Sequence, residues 1–501
     1  MKTKYERLLS LYKEALIVEE VLMFLYWDRD VTMPKGGVKQ KAEQVAYLSQ
    51  LEHEKRIKPE IGILLKEIQN HSDYNSFTEL EKRNVFLINR QYYKIINIPP
   101  EFVGEFNKQC VIANDAWEKA KDESDFSLFL PELEKMIDFN KKYAHFLNPD
   151  IDPYDALIDY SEPGMTQEKF EKIVNPLKEA TVQLLKKCIE AEKQPNLTIL
   201  SRKVPIKLQK KLNNDVLKLV EYDLNRGRLD ETVHPFTTGN YDDVRITTKY
   251  YEDNMISALM STMHEAGHGT YEQNVGKNGR YQPIGMWCSD GIHEGCARFY
   301  ENIIGLSNPF WKFYFPKLKE VTGEIYSEVS LEDFVFAINR TKPTAIRTDA
   351  DELTYNLHII LRFEIERDLL NGRIKVEDLP IIWSKKMKDL LDYEVQNDAE
   401  GVLQDIHWSD GLMGYFPTYT LGNIFGAQIF SQLKKEIPNW ETQIESGNLK
   451  VVLDWFKVNV HERGNIKDSH EMVKEITGEE VTSEYLINYL QEKYTYLYDL
   501  D

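Results

Sequence analysis

The amino-acid sequence predicts a mainly α-helical protein with one small antiparallel β-sheet. Along most of the 501 residues, apolar side chains recur at intervals of three and four positions, which places them on one face of a helix. Phe129, Leu133, Met136 and Ile137 are an example. Residues 230–251 are instead rich in β-branched and aromatic side chains, which favour strands.

Seven long helices are predicted before the β-rich stretch, and they make residues 1–228 a helical N-terminal part. Prolines, glycines and short polar residues, which are typical of turns, separate them at 33–37, 148–153 and 162–164. The predicted helices cover residues 5–26, 39–69, 80–95, 100–121, 126–145, 167–193 and 201–225.

The β-rich stretch predicts a hairpin. Residues 232–238 and 244–250 have strand composition, and the loop 239–243 between them contains a glycine. Pro235 is expected at a sheet edge, because proline cannot donate a hydrogen bond to a neighbouring strand. An exposed strand edge can bind an extended peptide by strand addition. A structural flap explains the same pattern equally well, so both interpretations stay open.

Helical periodicity returns after residue 252 and continues towards the C-terminus. Two helices, one from Met255 and one over 291–304, are joined by a polar, glycine-containing loop at 276–283. Because the sequence contains neither a Pro/Gly/Ser-rich linker nor a fixed-period repeat, residues 1–501 are expected to form a single domain. Further helices are predicted at residues 309–321, 331–339, 349–370, 376–392, 419–434, 449–460, 469–477 and 483–496.

Composition excludes several classes of partner. With 82 acidic and 62 basic residues the formal net charge is −20, which is unfavourable for binding nucleic acid or anionic membranes. The sequence has no uninterrupted apolar run of membrane-spanning length, and charged side chains interrupt the apolar segment 8–26 as they would not in a signal peptide. Four cysteines are too few for a disulfide framework. A cytoplasmic protein is therefore expected.

The sequence His264-Glu265-Ala266-Gly267-His268 is the first indication of a catalytic site. Residues four apart lie on one face of a helix, so His264 and His268 can bind a single metal ion. Glu265 then lies beside the ion, where it can act as general base towards a metal-bound water. The alternative is a helix that buries two histidines for packing alone.

Glu294 is the candidate third ligand. It lies in the next predicted helix, and two histidines with one carboxylate form a ligand set of zinc hydrolases. Cys288 and Cys296 lie nearby, but eight residues apart they lack zinc-finger spacing, so they are interpreted as buried core residues.

These two motifs belong to a longer ordered set. Trp27-Asp28, Thr32-Met33-Pro34 and the segments 154–157 and 162–166 extend it towards the N-terminus. The set resembles the thermostable carboxypeptidase 1 family of metallocarboxypeptidases, with one departure at Cys296, where a glutamine is expected. The motifs, in chain order, are His234-Pro235-Phe236, Asp243-x-Arg245-x-Thr247, His264-Glu265-x-x-His268, His293-Glu294-Gly295, Ile346-Arg347-x-x-Ala350-Asp351 and Gly401-x-x-Gln404-Asp405-x-His407-Trp408.

The resemblance implies a helical two-lobed zinc peptidase with a deep central groove, the small sheet lying next to the active site. It also implies a metallocarboxypeptidase that releases single amino acids from the C-terminus of peptides with broad specificity. Zn²⁺ is the implied cofactor, for which Co²⁺ can substitute, and a homodimer is the implied assembly.

Further residues are candidates for catalysis and substrate binding. The oxyanion formed during hydrolysis needs a hydrogen-bond donor besides the metal, and Tyr419, Tyr415 and His407 are candidates. A peptidase that acts at a chain end also needs a cation for the terminal carboxylate. Arg347 is the first candidate, since guanidinium binds a carboxylate through two parallel hydrogen bonds, and Arg245 is the second.

Structural roles compete with some of these assignments. Arg347 could instead form an ion pair with Asp349 or Asp351. His293 is a candidate for hydrogen bonds to a ligand or to substrate, and His234 could line the groove from the hairpin. Each of these two histidines could equally be structural.

Two other functions remain as alternatives. A zinc endopeptidase or oligopeptidase would use the same metal ligands, and only the carboxylate-binding arginine and the resemblance favour cleavage at the chain end. An inactive helical binding protein is the other alternative. The complete set of His264, Glu265, His268 and Glu294 argues against it.

Overall fold

A computed structural model of the chain describes residues 1–500, and the described part contains twenty α-helices and one three-stranded sheet. The helices before the sheet are α1 (Lys2–Val31), α2 (Val38–Arg56), α3 (Pro59–Gln69), α4 (Glu79–Ile95), α5 (Pro100–Glu123), α6 (Leu130–Leu147), α7 (Pro153–Ser161), α8 (Gln167–Glu190) and α9 (Ile206–Leu219). The mainly helical fold predicted from the sequence is confirmed.

The helices after the sheet include the two that carry the motifs His264-Glu265-x-x-His268 and His293-Glu294-Gly295. All the helices after the sheet are α10 (Met255–Asn274), α11 (Asp290–Arg298), α12 (Asn308–Thr322), α13 (Leu331–Ile338), α14 (Tyr355–Leu370), α15 (Leu379–Leu391), α16 (Pro417–Glu436), α17 (Trp440–Glu445), α18 (Lys450–Asn459), α19 (Ser469–Thr477) and α20 (Glu484–Tyr498). A π-helical segment, Phe299–Gly305, continues α11.

Among the predicted helix boundaries that differ from the structure, two have clear local reasons. The predicted helix 39–69 is divided into α2 and α3, because Pro59 occupies the first position of α3, where a proline has no hydrogen bond to lose. The predicted helix 349–370 begins only at Tyr355. Asp351 Oδ1 accepts the backbone N–H groups of Leu353 and Thr354, both at 3.0 Å, and so holds the preceding residues in a turn.

The sheet consists of β1 (Gly227–Glu231), β2 (Thr237–Thr238) and β3 (Val244–Thr248), in the order β1-β3-β2. β2 and β3 form the predicted hairpin, whereas β1 lies parallel to β3. The expectation of an antiparallel sheet is therefore corrected to a mixed sheet. A parallel pair needs a connection of about a dozen residues, and the segment between β1 and β3 provides one, with β2 inside it and Pro235 outside any strand.

Apolar side chains are buried in two separate clusters. The larger one extends from α5 to α20 and surrounds α10, α11, α14 and α16. The smaller one joins α1, α3 and α4 through residues such as Leu8, Leu65 and Ile88. A cleft of about 940 Å³ is lined by the N-terminal helices on one side and by segments 286–290 and 410–415 on the other. Among the described residues, no helix has both the length and the apolar character needed to cross a membrane.

Candidate metal centre

His264 and His268 lie one turn apart on α10, with ring centroids separated by 4.8 Å. The helix is started by Asn254, whose side chain accepts the backbone N–H of Ser257 at 3.3 Å and so caps the first turn. α10 is buried along most of its length, so both imidazoles are fixed by surrounding packing.

Glu294 on α11 completes a cluster with the two histidines. Its Oε2 lies 3.8 Å from His264 Nε2 and 3.6 Å from His268 Nε2. Zinc binds imidazole nitrogen and carboxylate oxygen at about 2.0–2.2 Å, so tetrahedral ligand atoms lie roughly 3.4 Å apart. The observed separations agree with this spacing within a few tenths of an ångström. The three residues therefore fit a divalent cation.

Close backbone packing holds α11 between α10 and α16. A Cβ added at Gly267 of α10 would lie 2.7 Å from Ala297 Cα and 2.8 Å from the Cys296 carbonyl oxygen. On the other side, a Cβ added at Gly422 of α16 would lie 2.7 Å from Glu294 Cγ. Only glycine permits these approaches. The position of Glu294 relative to the two histidines is thus set by the close contact of α11 with a glycine on either side.

Arg298 and Glu301 support the candidate ligands. Arg298 Nε donates to Glu294 Oε1 at 2.7 Å, and its Nη1 donates to Glu301 Oε2 at 3.0 Å. Glu301 Oε2 also lies 2.8 Å from His264 Nδ1. In the neutral imidazole that a metal requires, this contact favours the tautomer in which Nδ1 carries the hydrogen and Nε2 is free to bind the ion.

Carboxylates dominate the electrostatics around His264. Burial alone would lower the pKa of this imidazole, but the charges of Glu294 and Glu301 raise it to about 9. The pKa of Glu301 is shifted in the other direction. Burial alone would raise it, but the charges of Arg298 and His264 lower it. The carboxylates of Glu294 and Glu301 together carry more negative charge than Arg298 neutralises. The excess negative charge favours the binding of a cation at the centre.

Glu265 is buried between the candidate ligands and the sheet. Thr237 Oγ1 in β2 donates to its carboxylate at 2.6 Å. Burial raises the pKa of Glu265, with a smaller contribution from the carboxylates of Glu294 and Glu301. A carboxylate in this environment binds a proton more readily than one in water.

His293 packs directly against a candidate ligand. Its ring stacks on that of His268, with centroids 4.4 Å apart, and its Nε2 lies 2.8 Å from Glu272 Oε1. Cys288 and Cys296 are free thiols that are almost completely buried, as expected for core residues. Neither belongs to the group of side chains that could hold a metal ion within the described residues.

The three candidate oxyanion donors form one cluster at the start of α16. His407 Nε2 lies 3.3 Å from the Tyr419 hydroxyl, and the rings of Tyr415 and Tyr419 meet edge to face at 5.4 Å. Burial lowers the pKa of His407 to about 4, so this imidazole is neutral at pH 7. The carboxylate of Glu294 contributes to the raised pKa of Tyr419, after burial and the charge of Tyr355.

Arg347 lies beside this cluster, with its guanidinium carbon 5.2 Å from the Tyr419 ring centroid. Its Nε donates to Asp405 Oδ1 at 3.0 Å and its Nη1 donates to the Tyr355 hydroxyl, also at 3.0 Å. The ion pair is thus formed with Asp405 rather than with Asp349 or Asp351. Asp405 also pairs with Arg362 and so bridges two buried guanidinium groups.

The remaining predicted residues lie away from the ligand cluster. Arg245 in β3 forms two hydrogen bonds with Asp243, at 2.9 and 2.8 Å, and stacks on the ring of Trp27 at 4.4 Å. His234 is exposed in the loop between β1 and β2. Arg245 therefore faces the N-terminal helix α1, and His234 faces solvent.

Sequence reasoning missed Thr237, Arg298, Glu301 and Tyr355. Arg298 could have been found, because it lies four residues after Glu294 on the same helical face. Glu301 falls in the π-helical segment, whose altered period cannot be read from the sequence. Thr237 and Tyr355 are far from the metal-binding motifs in sequence, and only the tertiary fold brings them to the site.

Comparison with known proteins identifies the family. The family model for the carboxypeptidase Taq (M32) metallopeptidase matches residues 7–494. Carboxypeptidase 1 of Bacillus subtilis (strain 168) is 39% identical over 494 residues, which are 98% of this chain and 97% of the relative. Thermostable carboxypeptidase 1 of Thermus thermophilus is 36% identical over 504 residues, covering 99% of each chain.

Solved structures share the fold over almost the whole chain. The M32 carboxypeptidase from Deinococcus radiodurans R1 has a TM-score of 0.96 at 34% identity and covers 99% of this chain and 100% of that one. Pyrococcus furiosus carboxypeptidase has a TM-score of 0.94 at 35% identity, with 98% and 99% covered. The chain belongs to the carboxypeptidase Taq (M32) family of metallopeptidases.

Proposed function

We propose that this protein releases single amino acids from the C-terminus of peptides by zinc-dependent hydrolysis, with broad tolerance of the released side chain. Family membership makes it a metal-dependent carboxypeptidase. One observation carries the detailed proposal: the ligand atoms of His264, His268 and Glu294 all lie within 4.8 Å of one another. Two imidazoles and a carboxylate suit Zn²⁺, for which Co²⁺ can substitute.

A divalent cation held by His264, His268 and Glu294 would supply Lewis-acid chemistry towards the scissile carbonyl and the attacking water. Glu265 accepts the proton of the attacking water and later delivers it to the leaving amine. Its position supports this role, because it follows His264 in the chain and Thr237 fixes its carboxylate.

Tyr419 is proposed to donate a hydrogen bond to the oxyanion. Its phenol is neutral and lies in a buried cluster, where a fixed donor stabilises developing charge more strongly than water does. His407 is neutral at pH 7 and orients the Tyr419 hydroxyl by the contact at 3.3 Å. Tyr415 packs on the other side of the ring and is the second candidate donor.

Arg347 is proposed to bind the terminal carboxylate of the peptide. Asp405 and Tyr355 occupy Nε and one hydrogen of Nη1, and Nη2 donates to no side chain or backbone group among residues 1–500. The end of the guanidinium therefore keeps two parallel donors for a carboxylate. Arg245 is less suited, because Asp243 already accepts two hydrogen bonds from it.

A time course with one peptide in two forms tests the proposal. With a free C-terminus, mass spectra should show a ladder that loses one C-terminal residue at a time. The amidated form should be cleaved far more slowly. Internal fragments from both forms would support an endopeptidase instead, and no cleavage by the zinc-loaded protein would support an inactive binding protein.

The same time course, run with variants, tests the proposed roles of Glu265, Arg347 and Arg245. E265Q should keep its zinc and lose nearly all activity. R347A should weaken cleavage of the free form much more than that of the amidated form, whereas R245A should leave their ratio unchanged. Equal loss for both forms in R347A would exclude Arg347 as the carboxylate site.

The protein is further proposed to be a cytoplasmic homodimer. All four cysteines are unpaired, which suits a reducing compartment. Fractionation of cells and light scattering after size-exclusion chromatography test the two statements separately. A monomer mass, or recovery with the membrane or secreted fraction, would contradict the respective statement.

A further inference from the structure

Tyr355 stands between the candidate metal centre and the proposed carboxylate site. It is the first residue of α14, and 6% of its surface is exposed. The guanidinium carbon of Arg298 lies 4.4 Å from the centre of its ring. At the hydroxyl end, Arg347 Nη1 donates to its oxygen at 3.0 Å. One side chain therefore contacts two arginines with different proposed tasks.

Each of these arginines is also fixed by a carboxylate. Arg298 donates to Glu294, the candidate metal ligand, at 2.7 Å. Arg347 donates to Asp405 at 3.0 Å. An aromatic ring attracts a cation to its face and accepts hydrogen bonds at its phenol oxygen, so Tyr355 can hold both cations at once while keeping them apart.

The tyrosine itself is held in place. Its backbone N–H donates to the Asp351 carbonyl at 2.9 Å, and the ring of Tyr419 meets its ring at an interplanar angle of 89°. A tyrosine side chain has only two rotatable bonds and its ring is rigid. The path from Glu294 through Arg298 and Tyr355 to Arg347 therefore has a fixed length.

We propose that Tyr355 is a positioning residue that sets the distance between the metal centre and the Arg347 guanidinium. A carboxypeptidase must hold the terminal carboxylate one residue away from the bond that it cleaves, so a guanidinium displaced from that distance binds the carboxylate more weakly. This inference rests on the proposed function, in which Arg347 binds that carboxylate.

Two variants separate the contributions of the hydroxyl and the ring. Y355F keeps the ring between the arginines and removes only the acceptor for Arg347. Y355L removes both. Y314F is the matched control, because the Tyr314 hydroxyl is also buried and donates to the Leu212 carbonyl at 3.1 Å, away from the metal centre. For each zinc-loaded variant, KM and kcat are measured on free and amidated peptides, and zinc affinity is measured by competition with a chelator.

For Y355F, KM on the free peptide should rise about tenfold, with kcat changed less than threefold. The preference for the free over the amidated peptide should fall by the same factor, and zinc affinity should not change. Y355L should in addition lose about tenfold in zinc affinity, because Arg298 loses the ring beneath it. Y314F should match the wild type in all three measurements.

The positioning role is overturned if Y355F retains the wild-type KM and the wild-type preference for free peptides, or if both peptides lose equally. Because Y355F preserves packing, it decides the matter even if Y355L does not fold. A wild-type protein that produces no C-terminal ladder would refute the proposed function instead. That result is seen before any variant is made, so the two failures are distinguishable.

Discussion

The hydroxyl of Thr237 donates to the carboxylate of Glu265 across 2.6 Å, so the edge of the sheet is in direct contact with the proposed general base. Thr237 is one of only two residues in β2, and its register partner in β3 is Ile246. The sheet is consequently part of the proposed catalytic arrangement.

Removing this hydroxyl should slow catalysis without affecting metal binding. T237V keeps the shape of the side chain but cannot hold the Glu265 carboxylate, so kcat should fall roughly 10- to 100-fold, with KM and zinc affinity unchanged. T237S should restore most of the activity. T238V, at the next position, is the control, and a T237V enzyme with activity within twofold of the T238V enzyme would refute the role.

Glu301 should be needed for metal affinity. Its carboxylate orients His264 through the contact at 2.8 Å, and loss of such a partner typically costs 10- to 100-fold in affinity. E301Q should therefore bind zinc about 10- to 100-fold more weakly in a chelator competition. E320Q, which alters an exposed glutamate paired with Lys317, is the matched control. Equal affinities in the two variants would show that His264 does not need Glu301.

The contact between α10 and α11 should be sensitive to a single methyl group. G267A places a Cβ 2.7 Å from Ala297 Cα, so α11 must move and Glu294 with it. Both zinc affinity and thermal stability should fall. In G104A, the added Cβ meets nothing within 4 Å on the exposed face of α5, and stability should rise by about 0.5–1 kcal/mol. A G267A protein with wild-type zinc affinity would contradict the proposed role of this contact.

Glu366 should make the fold less stable as pH rises. Burial raises its pKa to about 7, although Gly414, Trp408 and Tyr154 donate hydrogen bonds to it. Between the unfolded pKa of about 4.3 and pH 7, the folded state keeps a proton that the unfolded state loses. The stability from this group is complete below about pH 4 and is lost as pH rises through 7, by at most about 4 kcal/mol.

Denaturant unfolding of wild type and E366Q from pH 4.5 to 8 measures this effect. The free energy of unfolding of the wild type should fall relative to that of E366Q over this range and then remain parallel above about pH 8. Curves that are parallel at every pH would mean that folding does not raise the pKa of Glu366.

The candidate ligand set was accessible to prediction because its geometry is local. His264 and His268 share a helical face, and Glu294 is the first acidic residue of the next predicted helix. The contacts that the sequence did not predict join distant positions. Thr237 precedes Glu265 by 28 residues, and Arg347 binds Asp405, which lies 58 residues further on, rather than the nearer aspartates.

The parallel strand β1 was missed for a related reason. Its residues are mostly polar and partly exposed, so they carry neither the alternation nor the apolar run that predicts a strand. β1 pairs with β3 because backbone hydrogen bonds to β3 hold the residues on either side of β1. The Val244 N–H donates to the Arg226 carbonyl at 2.8 Å, and the Thr232 N–H donates to the Thr248 carbonyl at 3.1 Å.

The placement of Glu294 by glycine contacts on both sides of α11 has a consequence for how the sequence can diverge. Close approach of two glycines to α11, with Gly267 against its main chain and Gly422 against the Glu294 side chain itself, fixes the separation of the three candidate ligands. Apolar residues elsewhere in the large core can then be exchanged for others of similar volume without disturbing the ion geometry. Evolutionary change should therefore be tolerated throughout this interior and be forbidden at Gly267 and Gly422.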